Sequence, residues 1–421
     1  MKNNKYLIVA GFILFVLLPY HLIIRLFFRD IYDAIIIWKE IILIIVPLGV
    51  LIIHGEIKWS KHTSILILLV LLLIIHILFI KINVRIAMIG LYNYIMMHWV
   101  SFIFKNIKKS DYILQLFIYP IIIVIFTGSI GMVFDSVFSW SYYFQYLDPD
   151  IDYTNFTSFN VYRPSFLFGS PVIAGQMLFI FSSMILLIHY SQNLVFKNLS
   201  HKNYLIIALF GYFGSFLAFS RGPWVATSIV LITILWIEKR KIISGRVILL
   251  IAGTILMVGV YFINLSSDER YFISFKFDSI INFENDSSNM KRQNSWKNGL
   301  IALEDNFLIG SGLGSGHPRS GSGINNHYES SYLLAINEGG IISLFAMSFI
   351  IFSPLFLIMK NKKQLSKDFR KIATSIIISL FLLWAVAPTF QNVIIAWLFS
   401  SICILIYLIT TRSNICTQKS Q

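Results

Sequence analysis

Four stretches of this sequence hold residues whose types could do chemistry together. Arg221 stands in Phe219-Ser220-Arg221-Gly222-Pro223-Trp224, between two apolar runs. Arg292 follows Lys291 in Lys291-Arg292-Gln293-Asn294-Ser295-Trp296, and Arg163 lies in Val161-Tyr162-Arg163-Pro164-Ser165-Phe166. A guanidinium is a planar fork of donors matched to phosphate oxygens. Three such groups, with His327 in Asn325-Asn326-His327-Tyr328-Glu329-Ser330-Ser331-Tyr332, point to an anionic substrate plus a base. For Arg221 the ordinary alternative is an arginine snorkelling to a membrane interface. His327, Ser331, Leu334 and Glu338 follow the i, i+4, i+7, i+11 spacing of one helical face. A continuous helix would set Glu338 about 16 Å below His327. Glu338 would then be an ionisable group inside an apolar run, which faces a bundle interior or a water-filled cavity, as a functional or a structural carboxylate.

Two further patterns carry weaker readings. Gly310-Ser311-Gly312-Leu313-Gly314-Ser315-Gly316 could be taken for a phosphate cradle, but the Lys-Ser/Thr that completes a P-loop is missing. A flexible turn returning the chain to the next helix is the plainer expectation. Asp148-Pro149-Asp150-Ile151-Asp152 sets carboxylates at alternate positions, which can hold a divalent cation. A solvated acidic turn is the alternative.

The elements that must position these residues are membrane helices. Of 421 residues, 57% are hydrophobic and 13% charged, against about 45–50% and 25% in soluble domains. That excludes a water-soluble enzyme, a disordered protein and, with two cysteines, a disulfide scaffold. A spanning helix needs about 20 apolar residues, and twelve runs qualify: 6–24, 35–53, 64–82, 86–104, 113–134, 171–190, 203–219, 222–237, 247–264, 331–358, 372–389 and 392–411. The expected fold is an all-α polytopic membrane protein of about twelve transmembrane helices. Its divisions are 1–134 (helices one to five), 135–170 (a first outer loop), 171–264 (helices six to nine), 265–330 (a large outer loop) and 331–421 (helices ten to twelve and a tail).

Charge sets the orientation. Both tails and the loops on their side hold 21 Lys or Arg against 4 acidic residues, whereas the opposite side holds 12 against 14. Lysine and arginine collect on the cytoplasmic side, so both termini are expected there and the two long loops outside. The net charge of +14 is thus an orientation signal beside anionic headgroups, not a nucleic-acid surface. Long loops on a rigid scaffold are where function concentrates.

Taken as an ordered set, these residues resemble the O-antigen ligase/polymerase superfamily of bacterial envelope glycosyltransferases. The likeness rests on Ser220-Arg221-Gly222 at a helix junction and on Arg292…Trp296…Gly310-x-Gly312-x-Gly314. It continues in His327-Tyr328-Glu329-Ser330-Ser331-Tyr332-Leu333 running into Glu338-x-Gly340-Ile341. The family's His-Asn appears here as His-Tyr. The motif region covers about 220–345, and Arg163-Pro-Ser-Phe-Leu-Phe-Gly169 looks like the Arg-x-x-Gly region of polymerases.

The resemblance implies a GT-C-like helical bundle and inverting, metal-independent glycosyl transfer from a glycan on undecaprenyl pyrophosphate to a glycan or lipid acceptor. It would take place at the periplasmic face of the inner membrane and need no cofactor. Arg221 and Arg292 would bind the pyrophosphate and stabilise its charge as it leaves. His327 would be the general base, for which an unperturbed pKa of about 6.5 is suited. Arg163, Lys291, Glu329 and Glu338 would contact substrate or support the cavity. A chain-length regulator and a flippase would be further partners. The Arg163 region and the Ile/Phe/Asn/Lys-heavy composition favour a polymerase of repeat units. A ligase transferring glycan to lipid A core, a flippase or transporter of the same lipid-linked glycan, and a metal-dependent transferase built on Asp148, Asp150 and Asp152 are the alternatives.

Overall fold

Backbone groups in hydrocarbon must be satisfied within the segment that carries them, and helix is what the chain forms under its apolar runs. The computed structural model describes residues 9–20, 38–54, 61–80, 83–106, 110–140, 157–158, 161–191, 201–238, 267, 271, 274–275, 287–315, 330–386 and 392–418. A π-helical turn, Ile13–Leu17, comes first. The α-helices are α1 (Trp38–His54), α2 (Lys61–Leu78), α3 (Val84–Asn106), α4 (Ser110–Phe138), α5 (Pro171–Tyr190), α6 (His201–Leu217) and α7 (Arg221–Glu238). They continue as α8 (Ser287–Ile301), α9 (Leu303–Asn306), α10 (Ser331–Lys360), α11 (Lys367–Ala385) and α12 (Val393–Gln418).

Helical structure lies under every expected span except the ninth, 247–264, which falls outside the described residues. Among the described residues, five helical stretches are long and apolar enough to cross a membrane: Ile86–Ile103, Ile118–Phe138, Pro171–Tyr190, Arg221–Glu238 and Ser331–Lys360. Four more, within α1, α2, α6 and α12, are apolar over shorter lengths. Large apolar side chains stand out from the helices, with Ile52 at 75%, Phe79 at 77% and Met359 at 73% exposure. Water would not tolerate so much bare hydrocarbon, and lipid solvates it. The protein is a helical, multi-pass membrane protein.

The stretches read as loops are more structured than their polar composition suggests. Thr157–Ser158 (β1) and Val161–Tyr162 (β2) form a short antiparallel pair, Thr157 opposite Tyr162 and Ser158 opposite Val161. The second loop contains α8 and α9. α8 is polar, yet Asn289 and Gly299 are buried while Lys291, Gln293, Asn294, Lys297 and Asn298 are exposed. One face therefore packs, and packing, not propensity, sustains the helix.

The chain forms two compact units, each built from separated segments. The first comprises Met1–Lys39, Ile113–Phe283 and Ser366–Ser379. Its centre is α5, which begins with Ser170 capping the Ile173 amide and Pro171 in the first turn, where its missing N–H costs nothing. Small residues let neighbours close on α5: a Cβ on Gly211 would fall 2.1 Å from Ser182 Oγ, and one on Gly175 2.9 Å from Pro223. Ser215 Oγ donates to the Gly175 carbonyl at 2.8 Å, and Ser379 Oγ to that of Ala226 at 3.0 Å.

The second unit comprises Glu40–Tyr112, Glu284–Leu365 and Leu380–Gln421. It packs α3 against α2, α10 and α12, with Tyr94, Trp384 and Trp397 buried and Trp384 stacked on Phe399 at 4.0 Å. α10 is broken within. Gly339 (φ −131°, ψ 21°) and Gly340 (φ 62°, ψ −159°) are non-helical, and the second lies in a region essentially restricted to glycine.

Candidate active site

In the first unit, a buried carboxylate shapes the Arg163 segment. Asp135, near the end of α4, accepts hydrogen bonds from the Tyr162 hydroxyl at 2.5 Å, the Ser165 amide at 2.7 Å and the Phe166 amide at 2.6 Å. Arg163 and Pro164 sit inside this loop of bonds, Arg163 half-buried. Phe166 and Phe168 then fill the space left by glycines on α4; a Cβ on Gly131 would fall 2.4 Å from the Phe166 ring. Gly169 (φ 90°) turns the chain into α5.

Arg221 is the first residue of α7 and is half-buried. Trp224 Nε1 donates to the Phe216 carbonyl at 2.7 Å, and Phe219 meets the Trp224 ring edge-on at 6.0 Å, so the turn before Arg221 is held from both sides. Gly175, in the second turn of α5, packs against Ala218 and Pro223 on either side of this turn. The Arg163 segment leads directly into that same end of α5. Both arginines therefore belong to one end of the unit.

Backbone strain gathers there as well. Among the described residues the non-glycine positions with positive φ are Ser139 (50°), Phe166 (48°) and Phe219 (46°). Phe166 lies three residues from Arg163 and Phe219 two from Arg221. For a bulky side chain this conformation costs about 1–3 kcal/mol and persists only where surrounding contacts impose it, a pattern typical of functional sites. A guanidinium at a helix N-terminus also adds its charge to the positive end of the helix dipole, an arrangement suited to an anion.

The second unit holds Lys291, Arg292 and Glu338. Lys291 is exposed on α8, and Arg292 half-buried. Asn337 Nδ2 donates to the Gly299 carbonyl at 3.1 Å, fixing α8 to α10. Glu338 is 2% exposed, and the Tyr94 hydroxyl donates to its Oε2 at 3.3 Å. His327 and Glu329, and the three aspartates 148, 150 and 152, lie outside the described residues.

Two expectations are corrected here. Glu338 does not continue a helix that begins at His327: α10 starts at Ser331, with Ser330 extended (φ −152°, ψ 129°), so the spacing of about 16 Å along one face does not apply. Nor is the glycine run, over its described residues 310–315, a flexible turn. Residues 307–315 fold into the break of α10 and cap it. The Ser311 amide donates to the Asn337 carbonyl at 2.7 Å, Gly312 to that of Glu338 at 3.0 Å, and Ile341 to that of Phe307 at 3.1 Å. The glycines are needed for contact: Cβ atoms on Gly340, Gly314 and Gly90 would fall 2.1 Å from Leu308 O, 2.2 Å from Ile86 O and 2.1 Å from the Gly314 amide.

Reading the sequence missed Asp135, His76 and Tyr94. His76 sits in the third apolar run, and the reasoning that singled out Glu338 as an ionisable group among apolar residues applies equally to it. Asp135 sits at the edge of the fifth run, where an acidic residue is unremarkable without its partners.

Residues 205–348 match the family model described as O-Antigen ligase. The matched stretch runs from α6 into α10 and includes Arg221, Arg292, His327 and Glu338, while Arg163 precedes it. It supports the superfamily resemblance drawn from the motifs, and with it an enzymatic part in assembling O-antigen or a related polysaccharide at a membrane. No curated protein matches the chain.

Proposed function

With residues 205–348 carrying the O-antigen ligase match, we propose that the protein is a membrane glycosyltransferase that polymerises undecaprenyl-pyrophosphate-linked oligosaccharide repeat units into O-antigen or a related surface polysaccharide. The observation that carries this reading is Arg221: a guanidinium at the mouth of α7, next to a strained phenylalanine, inside the matched segment. Arg221 and Arg292 hold the pyrophosphate and stabilise the negative charge that grows on it as the glycosyl bond breaks. His327 takes the proton of the acceptor hydroxyl as that oxygen attacks the anomeric carbon, inverting it. Arg163 and Lys291 steer the donor or its sugar chain, and Glu329 and Glu338 support the cavity. The reaction uses no metal. The excess of Lys and Arg on one side of the expected spans supports cytoplasmic termini, and with them this chemistry on the periplasmic side of the inner membrane.

Transfer of finished glycan to lipid A core by the same residues is the second reading, since a ligase uses the same donor. A transporter is favoured by one observation, the broken α10, because broken helices often bind cargo. Against it, amide and carbonyl groups freed at the break are bonded by residues 307–312. Deleting the gene and running the surface polysaccharide on a gel separates these readings. A polymerase deletion leaves single repeat units on the lipid A core. A ligase deletion leaves unattached lipid-linked polymer, and a transporter deletion leaves no exported glycan.

A further inference from the structure

His76 lies near the end of α2, buried among apolar neighbours, and the imidazole is bonded on both nitrogens to the glycine-rich turn. The Leu313 amide lies 3.0 Å from Nδ1, and the Ile309 carbonyl 2.8 Å from Nε2. An amide N–H can only donate, so Nδ1 must carry a lone pair. A carbonyl can only accept, so Nε2 must carry the proton. Both bonds require the neutral Nε2–H imidazole, which grips the turn at two points four residues apart. The grip closes a chain of contacts. The turn caps the Asn337 and Glu338 carbonyls of α10, and Asn337 in turn holds α8, which bears Arg292, through the Gly299 carbonyl. In sequence, the turn joins α8 to the segment containing His327.

We propose that His76 is a positioning residue, which as the neutral Nε2–H tautomer locks the 309–313 turn into the break of α10 and so fixes the frame that carries Arg292. The inference rests on the function proposed above for Arg292, and it adds a role for a residue 237 positions from the amide it binds. Alanine removes both bonds and leaves the buried Leu313 amide without its acceptor. Glutamine keeps a donor at the reach of Nε2 but offers nothing at Nδ1.

The turn can be monitored independently of activity. Ser315 is 8% exposed and can be replaced by cysteine in a chain carrying Cys403→Ser and Cys416→Ser. In full-length protein in membranes, a water-soluble maleimide is expected to label Ser315→Cys slowly. Adding His76→Ala should raise the labelling rate by about 5- to 150-fold, the equilibrium change expected for a buried amide left without its acceptor, with His76→Gln in between. In the parent chain, with Ser315 and both cysteines in place, His76→Ala should lose long-chain surface polysaccharide at normal protein level, and His76→Gln should retain part of it. Where His76→Ala does not accumulate, His76→Gln decides by the same two readouts. Unchanged labelling overturns the lock. Faster labelling with undiminished polymer overturns the positioning role but leaves the proposed function intact, which fails instead on long polymer in Arg221→Ala.

Discussion

Replacing Asp135 by alanine should release the segment that presents Arg163 without unfolding the helices around it. The Asp135 carboxylate accepts the Ser165 and Phe166 amides and the Tyr162 hydroxyl. A buried N–H left unsatisfied costs about 1–3 kcal/mol, which applies to the buried Ser165, and the half-buried Phe166 adds about 1 kcal/mol. The sum of about 2–4 kcal/mol corresponds to roughly 30- to 1,000-fold in the local opening equilibrium, at about 1.36 kcal/mol per decade. Hydrogen exchange on protein in nanodiscs, followed in peptides covering 162–170, reads that equilibrium directly. Asp135→Ala should speed exchange there by this factor and leave peptides from 331–336 unchanged. Asp135→Asn should stay within about tenfold of the parent, because the amide oxygen can take both N–H groups and the tyrosine hydroxyl can turn to accept from the new NH2. Surface polysaccharide should follow the same order. Equal exchange in the parent and Asp135→Ala would refute the assignment of the carboxylate as the tether.

Other outcomes follow from the same geometry. Arg221→Ala, Arg292→Ala and His327→Ala should each abolish chain extension at normal protein level by gel and blot. Arg221→Lys should lose most of it too, since an ammonium cannot reproduce the bidentate fork. Gly340→Ala should lower the thermal stability of the purified protein, because φ of 62° and a Cβ 2.1 Å from Leu308 O leave no room, at a cost of about 1–3 kcal/mol for the backbone alone. Gly49→Ala, with nothing within 4 Å on α1, should not, and gains about 1 kcal/mol of helix propensity. Activity in membranes should survive EDTA; its loss would favour a metal-dependent reaction at Asp148, Asp150 and Asp152.

What could be read in the sequence follows from the range of the forces involved. Membrane helices are legible because each must satisfy its own backbone and present about 20 apolar residues to lipid, so α5 and α7 begin and end within two residues of expectation. The place of Arg221 at a helix junction was legible because Ser220-Arg221-Gly222-Pro223 interrupts two such runs. α8 was not: its residues are polar, and it is helical because one face packs on α10. The docking of the glycine run was hidden for a related reason. Glycine signals conformational freedom, but here Gly310, Gly314 and Gly340 serve close contact with Glu338, Ile86 and Leu308, partners that only the fold brings near. Asp135 and Tyr162 lie 27 residues apart, and nothing in either one's neighbourhood announces the other.

The central claim is transfer from a polyprenyl pyrophosphate donor by arginines and a histidine of this chain. It is tested most directly with purified protein in liposomes, supplied only with a synthetic polyprenyl-pyrophosphate-linked repeat unit and EDTA. A ladder of lengthened lipid-linked chains from the parent protein, absent with Arg221→Ala and with His327→Ala, is the predicted result. Repeat units left unextended by the parent, or a ladder undiminished by either substitution, would contradict it.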